Sequence, residues 1–245
     1  MKLVYIAFFA ALVCLRAEAS SQGGRELIED SLRRHAEPAY VYQEQTFVLI
    51  DRLGRHSVRT ARYYAQRDAK GSRNLLVIET PAESKGTAIF IYREAGDGVR
   101  HGTAAGSPVF GSNFSVADLE EERPLNFRYE RDHDQDLDMV PHYVLWALAA
   151  EASAAHATGS HKRRIYLRKD NLFISRIDHH DKEGSLVKRQ TFRDPRPDES
   201  GAWRAGMILM EDLRDDRRTL LKVERRVHSP DYVPAAVFAG QPTPR

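Results

Sequence analysis

The chain has 245 residues, 29% charged and 42% hydrophobic, which suits one domain or at most two and argues against a disordered or collagen-like chain. Its 37 Lys and Arg stand against 35 Asp and Glu, so the net charge is only +2 and no bulk field favours nucleic acid as a partner. After Leu15 no apolar run is long enough to cross a bilayer as a helix.

The N-terminus reads as an export signal: Lys2, an apolar stretch from Leu3 to Leu15, then Ala17-Glu18-Ala19 as a small-x-small cleavage site. Cleavage is expected after Ala19, leaving residues 20–245 as a single domain with net charge +1 in a periplasmic location. Cys14, the only cysteine, leaves with the signal. Val13 before it is not the small residue of a lipoprotein signal, so the mature chain is expected to have neither a lipid anchor nor disulfides.

Arg25 to His35 carries Leu27, Ile28, Ser31 and Leu32 at helical spacing and predicts a short amphipathic helix. From Tyr40 the period changes to two. Strands are predicted at Tyr40–Leu49, Ser57–Gln66, Asn74–Thr80 and Thr87–Tyr92, separated by glycine-containing turns. A second set is predicted at Arg163–Arg168, Leu172–Asp178, Leu186–Phe192, Ala205–Asp212 and Arg217–Val227. In the last of these, Thr219, Leu221, Val223 and Val227 are expected on a buried face, with Lys222, Glu224 and Arg226 on a wet one. Between the sets lie the acidic, helix-compatible Ser115–Glu122 and then Val140–His156, whose alanines and leucines favour a helix by propensity, although a strand also fits. Roughly ten amphipathic strands with few helices predict a mainly β, α+β fold. Its curved antiparallel sheet must close or be covered, because an apolar face does not stay in water.

Three segments carry a family resemblance: Asp51-Arg52-Leu53-Gly54 with Arg59 and Tyr63-Tyr64; the Pro81 to Ala88 turn with Lys85-Gly86-Thr87; and Gly111-Ser112-Asn113-Phe114-Ser115-Val116-Ala117-Asp118-Leu119. Together they resemble the outer membrane lipoprotein-sorting, LolA-like carriers of the periplasm. Asn113 and Val116 depart from that family's acidic and aromatic residues, and Arg93–Val109 lacks its aromatic strand. The resemblance implies an incomplete β-barrel covered by a few helices, with an apolar cavity for acyl chains. It also implies that Tyr143–Ala149 is a strand, and an inner-membrane transporter of the resistance-nodulation-division type as partner.

Phe47, Leu49, Phe90 and Tyr92 are read as one cavity wall, and Phe114 and Leu119 as lining or gating residues; ordinary core and, for Asp118, a local cap are the competing readings. Lys85, Gly86, Gly111, Ser112 and Asp118 are motif positions. Asp132, His133, Asp134, Asp136, Asp138 and His142 alternate like hard-cation ligands, but Leu137 and Tyr143 fall where a calcium loop needs glycine and glutamate, so a solvated loop is expected. His179 and His180 should point to opposite faces of a strand, and no metal site is expected there. The charges of Arg214–Arg226 read as a salt-bridged wet face, or as a contact for anionic head groups or a partner protein. No nucleophile elbow, phosphate loop or His-Glu-x-x-His helix occurs, so no enzyme and no cofactor are expected. The function expected is a carrier of lipid or lipoprotein acyl chains with peripheral membrane contact. The alternative is a non-catalytic envelope interaction module that works with a transporter and carries no lipid.

Overall fold

The computed structural model describes residues 23–95, 99–150 and 162–240. The signal segment with its cleavage point after Ala19, and His156, lie outside them. No helix among the described residues is long and apolar enough to cross a membrane.

Helix α1 spans Gly24–Arg34. The strands are β1 Tyr40–Ile50, β2 His56–Asp68, β3 Gly71–Thr80, β4 Ala88–Glu94, β5 Arg100–Gly102, β6 Phe127–Arg131, β7 Gln135–Leu137, β8 Val140–Ala149, β9 Lys162–Arg168, β10 Ile174–His180, β11 Leu186–Pro197, β12 Trp203–Asp212 and β13 Arg217–Val227. All belong to one curved, unclosed antiparallel sheet in the order β5-β4-β3-β2-β1-β13-β12-β11-β10-β9-β8-β6, with β7 paired to β8. The sheet is thus two meanders joined where β1 meets β13. Its two free ends, β5 and β6, are joined by the strap of residues 103–126, which crosses the inner face.

Register decides which side chains meet. Phe47 pairs with Leu221, Leu221 with Ile208, and Met210 with Gln190, which pairs with Ile177 and through it with Ile165 and Leu145, so these residues share the inner face. The inner face carries two apolar clusters. One gathers Phe47, Leu76, Ile89, Ile91, Met210 and Leu221 around Val109, Phe114 and Val116 of the strap. The other gathers Leu145, Ile165, Leu167 and Ile177 under Leu27 and Ile28 of α1. Gly24 lets α1 approach β6, because a Cβ there would stand 3.2 Å from that of Tyr129. A third cluster lies on the outer face, where the C-terminal residues Val233 and Phe238 cover Tyr42, Leu75 and Phe90.

Val140–Ala149 is a strand, as the resemblance implied and propensity did not. Val144 and Leu145 are both fully buried on opposite faces, and pairing with β6 and β9 outweighs the intrinsic preference of its alanines and leucines. Ser115–Glu122 forms a single 3-10 turn at Val116–Leu119 instead of a helix. In β13 a bulge falls between Val223, paired with Gln45, and Arg225, paired with Glu44. The extra residue reverses the alternation beyond it. Val227 therefore pairs with Tyr42 on the outer face, and Arg226 turns inward opposite Gln43. The sequence reading had these two the other way round.

Candidate functional site

The strap is held by charge. At its 3-10 turn the Asp118 carboxylate accepts from the Ser115 N–H at 2.6 Å and the Ser115 hydroxyl at 2.7 Å, and it pairs with Lys188 of β11. Burial alone would raise the Asp118 carboxyl, but Lys188, His179 and the Ser115 hydrogen bond outweigh it and hold the pKa below the usual carboxylate value. The three residues after the turn divide between the two arms of the sheet, Glu120 and Glu121 to one and Glu122 to the other. Glu120 meets Arg93 and Arg100 at 2.7 Å each, Glu121 meets Arg67 at 2.6 Å, and Glu122 receives a two-pronged contact from Arg163 at 3.0 and 2.6 Å plus the Tyr129 hydroxyl at 2.7 Å. Arg163 also lies 3.8 Å over the Phe127 ring. One acidic segment thus ties β2, β4 and β5 on one side to β9 and β11 on the other.

The motif residues find local reasons here. Phe110 and Gly111 adopt left-handed φ of 52° and 73° in the turn closed by the Ser112 N–H to the Val109 carbonyl, and the Ser112 hydroxyl accepts from the Phe114 N–H. Asn113 donates through Nδ2 to the Arg217 carbonyl and accepts from the Thr219 hydroxyl, both at 3.1 Å. An aspartate there could not donate. Val116, in place of an aromatic residue, is fully buried. Lys85 is exposed, and Gly86, at φ 84°, donates its N–H to the Ile78 carbonyl to close the β3–β4 turn.

The six apolar candidates divide between faces. Phe47, Leu49, Phe114 and Leu119 come together in the first inner cluster, with the Phe47 and Phe114 rings edge to face at 6.5 Å. Phe90 and Tyr92 lie on the opposite face, because register links Phe90 through Leu75 and Tyr64 to Tyr42. The single wall expected of Phe47, Leu49, Phe90 and Tyr92 is therefore corrected: Ile89 and Ile91 occupy the inner positions of β4. Tyr63, Leu119 and Ile208 beside the first cluster and Phe192 beside the second keep part of their surface accessible, so the inner face has apolar wall between its two packed centres. Burial raises the Tyr63 phenol above its ordinary value. A separate groove of about 530 Å³ at the hairpin tips is lined by Arg52, Arg214, Asp215, Asp216 and Arg217 and offers no acyl-chain wall.

Two carboxylates of the acidic run are spent on cations of the protein itself. Asp132 pairs with Arg164, and Asp134 with Arg131 and Lys169. His142 is buried between the Val140 carbonyl and the Ser175 hydroxyl. His179 lies on the inner face, where burial pushes its pKa down to about 3, and His180 meets Trp146 edge to face outside. Among the described residues no cluster of three or more such groups could hold a metal. Treatment with EDTA is expected to leave the melting temperature unchanged, and a drop of several degrees would show a structural cation.

Sequence reasoning missed Glu120, Glu121, Glu122 and their arginines, Lys188 as the partner of Asp118, and the inward turn of Arg226. The acid run was visible. Its partners, up to 70 residues away, were not.

Comparisons with known proteins fit this geometry. A family model whose description reads "uncharacterized protein" matches residues 59–240. The chain belongs to that family. No curated protein matches the sequence. Among solved structures, a domain named for outer membrane lipoprotein sorting from Vibrio parahaemolyticus aligns with TM-score 0.71 at 16% identity, over 85% of this chain and 95% of that one. A DUF1329 family protein from Desulfovibrio piger aligns with TM-score 0.73 at 17% identity, over 89% and 99%. A LolA superfamily protein from Nitrosomonas europaea gives 0.66 at 14%, over 89% and 97%. The chain has the LolA-type fold that the sequence motifs resembled.

Proposed function

We propose that residues 20–245 act as an exported, periplasmic carrier that shelters the acyl chains of a lipid or lipoprotein between the inner face of the sheet and its roof. The observation that carries this reading is the nature of that roof. Where a closed barrel would have strands, this sheet is covered, among the described residues, by one helix and by the strap 103–126, and partly accessible Tyr63, Leu119, Ile208 and Phe192 lie between the clusters they cover. Displacing an irregular segment held by side chains breaks no strand ladder. Burial of an acyl chain at about 25 cal/mol per Å² of apolar surface supplies the affinity. The reading involves no covalent step and no cofactor. Its handover partner is an inner-membrane transporter, and the likeness to structures named for lipoprotein sorting supports it. The fully buried Val109, Phe114 and Val116 in the first cluster favour the second reading, an interaction module that fills its own interior.

A staple separates the two. Asn113 and Thr219 touch through their side chains, so a double cysteine variant of these positions, made without Cys14, can lock the strap to β13. In the carrier, oxidation is expected to lower binding of the fluorescent fatty acid cis-parinaric acid at least tenfold, with recovery on reduction. Native mass spectrometry of the gently purified wild type should also show copurifying lipid. A bare chain that binds no probe in either redox state would leave the interaction module.

A further inference from the structure

Arg226 stands apart from the other charges of the inner face. The bulge in β13 turns it inward opposite Gln43, which in turn pairs with Tyr63, so the three form one row across β13, β1 and β2. No carboxylate among the described residues lies within 4 Å of its guanidinium; its one hydrogen bond runs from Nη2 to the Ala205 carbonyl at 3.4 Å, and its buried Nε has no partner. Arginine cannot escape burial by losing its proton at neutral pH.

The neighbouring charges are already committed. Arg204 takes Asp198 at 3.0 Å, Glu37 at 3.2 Å and the His35 and Ala36 carbonyls at 2.6 and 2.7 Å. One row along, Gln45 is only 7% exposed. Its Nε2 donates to Gln43 at 2.7 Å while its Oε1 has no partner. Orphaned buried polar atoms beside a cation that has no carboxylate in contact mark a place for a polar guest. Burial pulls the Arg226 pKa below its ordinary value, and the more distant carboxylates of Glu37 and Asp198, both engaged by Arg204, oppose that fall without cancelling it.

We propose that Arg226 is the head-group anchor of the cavity, and that the cargo is an amphiphile with an anionic head, carboxylate or phosphate, whose chain runs along the apolar wall of Tyr63 and Ile208. This rests on the carrier reading and deepens it. The free Nε and the weakly bound Nη2 form the edge of a guanidinium that takes two oxygens of one anion.

The test uses cis-parinaric acid and its methyl ester on the full mature protein. Wild type is expected to bind the acid at least tenfold more tightly than the ester. In Arg226→Met, which keeps the length of the stem, that ratio should fall to about one with ester affinity unchanged. The variant should melt no lower than wild type, because it removes an unpaired buried charge. If it does not fold, Arg226→Lys supplies the comparison, since a point charge without the fork should weaken the acid and spare the ester. Competition by oleate and by lysophosphatidic acid then assigns the head, the stronger competitor identifying carboxylate or phosphate. Equal binding of acid and ester by wild type, or a ratio that survives in Arg226→Met, overturns the anchor and leaves the carrier standing. Failure of both probes to bind overturns the two together.

Discussion

Asp118→Ala is expected to destabilise the protein by about 3–5 kcal/mol, the usual cost of leaving one half of a buried ion pair behind. In a domain of this size that lowers the melting temperature by roughly 10 °C. The Asp118 side chain is 1% exposed and that of Lys188 16%, so the orphaned ammonium has little water to turn to. The change also removes the acceptor for the Ser115 N–H and hydroxyl, and with it the cap of the 3-10 turn. The effect has a pH signature. Because the folded carboxyl titrates below its unfolded value, its contribution is present above about pH 3.9 and is lost as pH falls through the folded value. The gap in melting temperature between wild type and Asp118→Ala should therefore close in strong acid. His179 acts over a higher window. Its folded pKa of about 3 lies below the usual 6.5, so the unfolded chain takes up a proton that the folded one refuses, and both proteins should lose stability as pH falls below about 6.5. Thermal melts from pH 7 into strong acid read both effects, and a gap that persists unchanged there would contradict the ion-pair account.

Phe90→Asp is expected to unfold the protein or lower its melting temperature by more than 10 °C, without reporting on any cavity. Phe90 is 3% exposed on the outer face and packs against Leu75, Val233 and Phe238. A carboxylate there would be buried among apolar side chains, which costs several kcal/mol. Circular dichroism melts of the variant decide the matter. A folded variant with selectively weakened fatty-acid binding would return Phe90 to the inner wall.

That prediction marks where the sequence stopped being legible. The period of two in β1 and β4 was plain, and the strands fall within a few residues of their expected places. In β4, though, Ile89 and Ile91 alternate with Phe90 and Tyr92, all apolar. A strand covered on both faces has no polar side to name the inner one, and only the late residues Val233 and Phe238 show that the outer face is covered too. The bulge in β13 was invisible for a different reason. Thr219 to Val227 reads as one unbroken phase, and one unpaired residue opposite β1 reverses it beyond Val223 without any mark in the pattern. Asp118 as a cap could be read from Ser115 three residues earlier, as in any capping box. Its pairing with Lys188 could not, because contact across 70 residues is a property of the assembled, curved sheet and its strap. The strands β5, β6 and β7, of three to five residues each, were not predicted, and they carry too little pattern to be seen.

The junction of β1 with β13 also sets the order of assembly. Tyr42 must wait for Val227, so the central seam joins residues 185 positions apart. A ribosome that releases the chain from its N-terminus makes β1 to β5 early, yet one edge of β1 stays without a partner until nearly the whole chain is out. An edge left open in this way invites pairing with other chains, and loop-closure entropy makes so distant a seam slow to form. The molecule is therefore incompetent to finish folding while it is being made, a delay that suits the export proposed above, in which the polypeptide is threaded through a narrow pore before it sets. A chain stopped short of Arg217 would keep that edge for good.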